Sequence, residues 1–324
     1  MHGKPVAGIL RVKTMHRPAE GLACRRSRLQ SAMEYMMTYG WAILIIAVVL
    51  GALYSLGVFN PLTFAPRAQP GSCSVYRPSG PLTSGFISLQ GACNGDIPEY
   101  TASFSGTNSF ISLGDSPSLS PDNGTSGAMT FCTWYRINSA TGYEGPMIKG
   151  ELAPSNGNQW EFTLDQNGAP PSFTLWTPAG ANIASGNAGQ SLSAVVGKWM
   201  FACFTYNYSA SYAFYYLNGV QHTASFASGT PASAGTGLLI VGAGEYGYSN
   251  VTMANVQLYN DSLNANDILQ MYDEGIGGTP IRLQNLIGWW PLNGNANDYS
   301  GNGYNGVPTN VIYAGSWLNG YTSP

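Results

Sequence analysis

One apolar stretch constrains the fold of this chain more than any other feature. Residues 30–59 carry a single charged side chain, Glu34. A helix needs about 20 apolar residues to cross the hydrocarbon core of a bilayer, and this stretch is longer than that. Arg25, Arg26 and Arg28 directly precede it, and basic residues beside an apolar segment favour the cytoplasmic side. We therefore predict a membrane-spanning helix at 30–59, with the C-terminal bulk of the chain outside the cell.

Glu34 is the one feature of this stretch that a plain membrane anchor does not need. A carboxylate near a helix N-terminus is favoured by the helix dipole. An unpaired carboxylate in lipid is costly, so Glu34 implies a partner. If the chain is cut between Leu29 and Gln30, the new α-amine of one subunit can neutralise Glu34 of a neighbour in a helical bundle. We therefore predict processing at Leu29–Gln30 and assembly through Glu34.

Residues 25–35, RRSRLQSAMEY, resemble the class III signal peptide of archaeal type IV pilin-like proteins. In that family a prepilin peptidase cuts before the glutamine, and the apolar segment serves first as a membrane anchor and then as a filament core. The resemblance implies a cleaved leader at 1–29, with the peptidase and further copies of this chain as partners. Leu29 stands where the family usually has a small residue. The alternative is an uncleaved signal anchor.

The composition favours an extracellular β protein over a cytosolic enzyme. Only 9% of residues are charged, whereas there are 41 glycines and 20 tyrosines. Six basic residues remain after residue 29, against fifteen acidic ones, which gives a side-chain net charge of −9. No basic patch is left for a nucleic-acid partner. Residues 60–71 contain three prolines and are predicted as a linker, which leaves 72–324 as a head domain.

The residue pattern of 72–324 predicts short strands separated by turn residues. Aromatic and β-branched runs bounded by Gly, Pro, Asn or Ser predict strands at Phe110–Leu113, Met129–Ile137, Trp160–Asp165, Ser172–Trp176, Trp199–Tyr206, Tyr212–Leu217, Val220–Ser225, Gly237–Val241 and Met253–Tyr259. Asn218-Gly219 is a hairpin turn signal. One helix is expected at Asn264–Glu274, with Ile268, Leu269 and Tyr272 on one face. This pattern indicates an antiparallel sandwich.

The order of several segments resembles the LamG-like, concanavalin A-like jelly roll. The segments are YTASFSGTNSFISL, MTFCTWYRI, GKWMFACFTY, YYLNGV and a late helix that ends in EGIGG. The resemblance covers most of 96–324 and implies a mainly β fold of a kind that is often carbohydrate-binding or adhesive. A possible glycan or cell-surface ligand follows from the resemblance.

Residues 286–311, LIGWWPLNGNANDYSGNGYNGVPTNV, look like the segment that usually opens such a domain, although here they close the chain. They either complete the same sandwich as a circular permutation or add a strand to a neighbouring subunit. The short tether at Ile281–Asn285 favours completion within the chain. Trp289 and Trp290 are consecutive and point to opposite faces of a strand, so at least one must enter a core.

Four cysteines follow the leader, and an even count in an exported chain suggests disulfides. Cys73 and Cys93 bracket a short segment, and a bridge between them would stabilise the chain by about 3 kcal/mol. Cys132 and Cys203 lie in two predicted strands and can pair across a sheet. The alternative for this second pair is two buried thiols.

Two kinds of surface chemistry remain candidates. Sequons at Asn123, Asn207, Asn250 and Asn260 lie near predicted strand ends or loops and predict glycosylation. The loop at Asn293–Asn305 offers many oxygens but one carboxylate, Asp298, so we expect a turn without metal, and a structural calcium site is the alternative. No cofactor is expected.

The sequence does not predict an enzyme. A nucleophile elbow, a Walker loop, HExxH and CxxC are all missing. Glu161 and Asp165 share one face of a predicted strand, but about 13 Å apart, which does not match a glycosidase pair. The predicted role is a structural subunit of an archaeal pilus-like filament with an adhesive or carbohydrate-recognising head. The alternative is a monomeric, membrane-anchored carbohydrate-binding protein.

Overall fold

The computed structural model describes most of the chain outside its N-terminal leader. The described residues are 23–56, 58–59, 65–94, 96–120, 127–139, 144–151, 158–164, 171–177, 179–187, 189, 194–226 and 237–324. The predictions for most of the leader, for Asn123 and for Asp165 lie outside them. The chain divides into two compact units, Met1–Phe64 and Ala65–Pro324.

The first unit contains helix α1, Ala23–Ser55. The apolar stretch 30–59 is therefore helical over most of its length, as predicted, although the helix begins before Gln30 and ends at Ser55. Within it, Met33–Ser55 has a mean hydropathy of 2.2 over 23 residues, enough by length and composition to cross a membrane. The apolar side chains surround the helix instead of forming one stripe, which is typical of a helix meant for lipid or a protein core.

The second unit is built from short strands and one helix. The strands are β1 Arg67–Ala68, β2 Cys73–Tyr76, β3 Ser88–Gly91, β4 Ile97–Pro98, β5 Thr101–Ser103, β6 Phe110–Ser112, β7 Ala128–Ile137, β8 Glu144–Gly150, β9 Trp160–Leu164, β10 Ser172–Trp176, β11 Asn182–Asn187, β12 Trp199–Asn207, β13 Tyr212–Leu217, β14 Val220–Phe226, β15 Leu238–Val241, β16 Ala243–Gly244, β17 Gly247–Tyr248, β18 Val251–Tyr259, β19 Leu286–Trp290, β20 Val307–Thr309 and β21 Ile312–Ala314. The helix is α2, Ala265–Asp273.

Fifteen of these strands form one hydrogen-bonded sheet that is folded over on itself. We call β20-β6-β15-β8-β9-β10-β11 the front sheet, and β14-β13-β12-β7-β18-β5-β21 with β19 the back sheet; β11 and β14 join them. Phe173 of the front sheet stacks on Phe204 of the back sheet with ring centroids 4.0 Å apart. One core of buried residues runs between the two. The prediction of a mainly β antiparallel sandwich is confirmed.

The C-terminal segment completes this sandwich within the chain. β19 pairs with β18, with Val256 opposite Trp290, while β20 pairs with β6 and β21 pairs with β5. Trp290 lies in the main core. Trp289 lies on the other side, where its Nε1 donates a hydrogen bond to Asn255 Oδ1 at 2.8 Å. The two tryptophans therefore point to opposite faces, as their spacing predicts.

Helix α2 begins with a capping box, because Asn264 Oδ1 accepts hydrogen bonds from Asn266 N and Asp267 N and the Asp267 carboxylate accepts from the Asn264 N–H. The helix buries Ile268 and Met271. Leu269 is 45% exposed, so of the three apolar residues predicted to share a face it contributes least to the buried side.

A small N-terminal hairpin, β2–β3, is attached to the C-terminal segment by Arg77. Its guanidinium donates to the backbone oxygens of Ser300, Thr83, Leu283 and Leu286 at 2.7 to 2.9 Å. Burial lowers the pKa of Arg77. Nearby, β1 pairs in parallel with β4, and β1 lies within the segment predicted as a linker, 60–71.

Candidate functional site

The outer face of the back sheet is covered by the chain itself. We call it the covered face. Trp134 of β7 stacks on Tyr272 of α2 with centroids 5.8 Å apart, and Tyr321 contacts Trp134 edge-on at 5.5 Å. Trp199 Nε1 donates a hydrogen bond to the backbone oxygen of Trp317 at 2.9 Å. This explains why β7 and β12 are apolar on both faces, and it leaves little of this face for a ligand.

The outer face of the front sheet is different, and we call it the open face. On β10, Phe173 and Leu175 point into the core, so Ser172, Thr174 and Trp176 point outward. These three side chains are half-buried. The open face therefore presents hydroxyls and an indole where the covered face presents packed aromatic rings.

A polar row crosses the open face from strand to strand. Glu161 of β9 lies between Ile148 of β8 and Thr174 of β10, and Thr174 lies opposite Ser185 of β11. The hydroxyls of Thr174 and Ser185 are 3.5 Å apart. Sugar hydroxyls can donate and accept hydrogen bonds, so a row of this kind suits a polyhydroxylated ligand.

Glu161 lies beneath the hairpin formed by β16 and β17. Its Oε1 accepts a hydrogen bond from the N–H of Glu245 at 2.9 Å, and the residue is fully buried. Only glycine fits around the carboxylate, because a Cβ at Gly145 or Gly244 would lie 2.0 Å from Oε1. The hairpin tip therefore packs directly against the carboxylate.

Burial raises the pKa of Glu161 to about 7, although the N–H of Glu245 and the hydroxyl of Thr163 oppose this rise. Burial also raises the pKa of Glu245. Glu161 is therefore largely protonated in mildly acidic solution and ionises near neutral pH. A buried carboxyl group with a displaced pKa is a common feature of functional sites, but here the hairpin separates it from solvent.

Aromatic side chains flank the polar row. Tyr246 at the hairpin tip is 56% exposed, and Trp176 is half-buried on β10. Tyr248 packs against Phe110 with ring centroids 6.1 Å apart. Strand aromatics are more often core residues, yet none of Trp176, Tyr246 and Tyr248 belongs to the main core. Exposed aromatic rings beside convergent polar groups are typical of small-ligand sites.

A protein-family model described as the concanavalin A-like lectin/glucanases superfamily matches residues 105–269. The chain belongs to this superfamily. The match includes the open face and α2 as far as Leu269, and it stops before the C-terminal segment that completes both sheets. A search of curated proteins found no match.

Solved structures with a similar arrangement are distant in sequence. One is a Bacteroides ovatus protein proposed to bind carbohydrate, with 14% identity and a TM-score of 0.48, over 75% of this chain and 69% of that one. Another is the native heptameric SAP-like pentraxin from Limulus polyphemus, with 15% identity and a TM-score of 0.41, over 58% of this chain and 87% of that one.

The predicted cleavage site and the predicted assembly residue lie far in sequence from this lectin-type sandwich. Leu29 and Gln30 are within α1. Glu34 is exposed on the same helix, and its backbone oxygen accepts a hydrogen bond from the Thr38 hydroxyl at 2.7 Å. Processing at Leu29–Gln30 and the pairing of Glu34 stay predictions.

Both candidate disulfides are formed within the second unit, Ala65–Pro324. Cys73–Cys93 joins the ends of the β2–β3 hairpin. Cys132–Cys203 links directly opposite residues of β7 and β12, on the side of the sheet that faces away from the main core. The sulfurs of the second pair are buried, so the alternative of two free buried thiols is not what the structure contains.

The candidate calcium loop is held by its own carboxylate. Asp298 Oδ1 accepts from Trp289 N and Ser300 N, and Oδ2 accepts from Tyr304 N and the Ser300 hydroxyl, all at 2.8 to 3.1 Å. Across the described part of the chain, no three His, Cys, Asp or Glu side chains cluster as a metal site. The expectation of a turn without metal stays a prediction.

Proposed function

We propose that this protein is a subunit of an archaeal type IV pilus-like surface filament whose lectin-type head recognises carbohydrate. In this proposal α1 polymerises the subunits after a peptidase removes residues 1–29. The head is displayed on the outside of the filament. The protein passes through the membrane before assembly and reaches the cell surface afterwards.

The observation that carries the proposal is the exposure of α1. Met36 and Tyr54 are each 78% exposed, and Val49 and Leu50 are 50% exposed. Side chains of this kind are stable in lipid or in a helix bundle, but not in water. In this proposal lipid covers these side chains before assembly, and other copies of the chain cover them afterwards.

The sequence around the helix favours a filament over a simple anchor. A monomeric, membrane-anchored carbohydrate-binding protein needs the apolar length of Met33–Ser55 but has no use for Glu34. A filament uses that carboxylate, since the α-amine freed at Gln30 of a neighbouring subunit can pair with it. Such a pair offsets the cost of placing a charge in an apolar core.

The open face supports carbohydrate recognition by the head. It combines the hydroxyls of Thr174 and Ser185 with the rings of Trp176 and Tyr246, and the superfamily includes lectins. Glu161 lies beneath the hairpin and holds its tip in place, so the proposed role of the head is binding without catalysis.

The assembly part is tested by Glu34→Ala in cells that produce the filament. We expect a folded head and a membrane-inserted protein but no filaments by electron microscopy, because the charge pair is lost. Thr38→Ala is the matched control, one helical turn away, and should assemble normally. Normal filaments from Glu34→Ala would contradict the proposed assembly.

The recognition part is tested by Thr174→Trp in the detergent-solubilised full chain on a glycan array. An indole at Thr174 would block the polar row, so we expect at least a tenfold loss of binding. Thr223→Trp is the control, because Thr223 is an exposed threonine on β14 in the back sheet. Equal binding by both variants would place the ligand elsewhere.

A further inference from the structure

Three of the predicted sequons lie in the described part of the chain, and their amide groups are held differently. Asn250 is half-buried, and its Nδ2 donates to the Ser139 hydroxyl at 2.9 Å. Asn207 is half-buried, and its Oδ1 accepts from Ala210 N at 2.9 Å. Asn260 is exposed. Asn260 is therefore more accessible to solvent than Asn207 and Asn250.

The hydrogen bonds of Asn260 fix the residue and leave its amide nitrogen available. Its backbone N–H donates to the oxygen of Asn285 at 2.9 Å. Its Oδ1 accepts from Asn285 Nδ2 at 3.3 Å. Among the described residues, no hydrogen bond from Asn260 Nδ2 is formed. Since an N-glycosidic bond forms at this nitrogen, Asn260 has the geometry that Asn250 lacks.

A cavity lies directly beside Asn260. Its volume is about 300 Å³, and its lining residues are Arg77, Leu82, Ser118, Asn260, Gln284, Leu286 and Ile287. This volume is at the lower end of the range for small-ligand pockets, about 300 to 1,000 Å³. The lining combines polar groups, such as Ser118 and Gln284, with aliphatic side chains, and a sugar ring has both polar edges and apolar faces to match.

We propose that Asn260 carries an N-linked oligosaccharide and that its first sugar occupies this cavity. The co-reactant is a glycosyl donor with a phosphate or pyrophosphate leaving group, held by a separate transferase. Asn260 Nδ2 forms a bond to the anomeric carbon while the bond from that carbon to the phosphate oxygen breaks. The nitrogen loses one proton, the phosphate leaves with the electron pair, and no oxidant or reductant is required.

A sugar in this cavity would cover the junction between the N-terminal hairpin and the C-terminal segment. Arg77 lines the cavity and joins these two parts through the backbone oxygens of Leu283 and Leu286. The glycan is thus expected to slow local opening of Leu82–Thr83 and Gln284–Ile287. It would also add polar surface to a head with few charged residues. The modification requires export of the head but not assembly of a filament.

Glycopeptide mass spectrometry of the protein from its native cell surface tests the modification. We expect a hexose- or hexosamine-containing mass increase on the Asn260 peptide and an unmodified Asn250 peptide. Ser262→Ala should abolish the increase and Ser262→Thr should retain it, because the sequon needs a hydroxyl at that position. An unmodified Asn260 peptide in protein whose Cys73–Cys93 bridge is present would overturn the proposal without affecting export.

Hydrogen exchange tests the position of the sugar. The native protein should exchange the amides of Leu82–Thr83 and Gln284–Ile287 at least threefold more slowly than Asn260→Gln. Asn250→Gln is the matched control and should exchange them at the native rate. A glycan at Asn260 with equal exchange in all three proteins would show that the sugar projects into solvent, and the cavity assignment would be wrong.

Discussion

The two units of this chain treat apolar side chains in opposite ways. The head buries its aromatic and aliphatic residues between two sheets and beneath α2, whereas α1 exposes nearly every apolar side chain from Met33 to Tyr54. The head can therefore satisfy its own apolar surface. The helix cannot, and its stability has to come from lipid or from other subunits.

This difference indicates that the two units have separate roles in the proposed function. Because the head buries its own apolar side chains, substitutions in its exposed loops and on its open face should not affect assembly. The helix depends on lipid or other subunits along its whole length, so substitutions on any of its faces should affect insertion or assembly. Changes that damage the head should leave the helix competent, and changes in the helix should leave the head folded.

The largest expected effect is loss of the C-terminal strands. A chain that stops at Gly288 loses Trp290 from the core and loses β20 and β21 from the two sheets. We expect no cooperative thermal transition from its head by circular dichroism. A chain that stops at Tyr321 loses only exposed residues and should melt like the full protein. If both chains melt alike, the C-terminal segment does not complete the sandwich.

The next largest expected effect is a loss of stability that differs between the two outer faces. Trp134→Ala removes a buried indole from the covered face and should destabilise the head by about 3 to 5 kcal/mol. Trp176→Ala on the open face should cost about 1 kcal/mol, because that ring is half-buried. Urea denaturation of both variants measures the difference. Equal losses would mean that the open face is packed like the covered one.

Glu161 predicts a dependence of head stability on pH. Burial raises its pKa from 4.5 to about 7, so the folded head binds this proton more tightly than the unfolded chain does. The stabilisation is complete below pH 4.5 and is lost as the pH rises through about 7, by up to about 3 kcal/mol. Glu161→Gln should flatten the curve. An unchanged slope in that variant would assign the dependence to other groups.

The smallest effect concerns the cap of α2. Asn264→Ala removes the side-chain acceptor of Asn266 N and Asp267 N and should cost about 1 kcal/mol in urea denaturation. Asn266→Ala leaves both backbone hydrogen bonds to Asn264 in place and serves as the control. A loss as large as that of Trp134→Ala would show that α2 depends on its cap more than on packing.

Much of the sandwich could be predicted from residue patterns. Strands such as β7, β10 and β12 are rich in aromatic and β-branched residues, and β19 could be predicted from its paired tryptophans. β8 and β11 were missed, because EGPMIKG and NIASGN contain the Gly, Pro and Asn residues that usually mark turns. Their pairing with neighbouring strands outweighs these local preferences.

The open face was only partly predictable. Alternation in SFTLW, with Phe173 and Leu175 inward, could have identified Thr174 and Trp176 as outward residues. Glu161 was considered only as half of a glycosidase pair. Its burial could not be predicted, since Gly145, Gly244 and Glu245 are brought to it by strands that are distant in sequence.

The N-terminus of the mature protein tests the central proposal most directly. Filaments purified from the native cell surface would be digested, and the N-terminal peptide identified by mass spectrometry. We predict a peptide that begins at Gln30 and contains Glu34, in filaments that also contain peptides of the lectin-type head. An N-terminal peptide that still carries Arg25–Arg28, or filaments that lack this chain, would contradict the assignment of α1 as a processed polymerising helix.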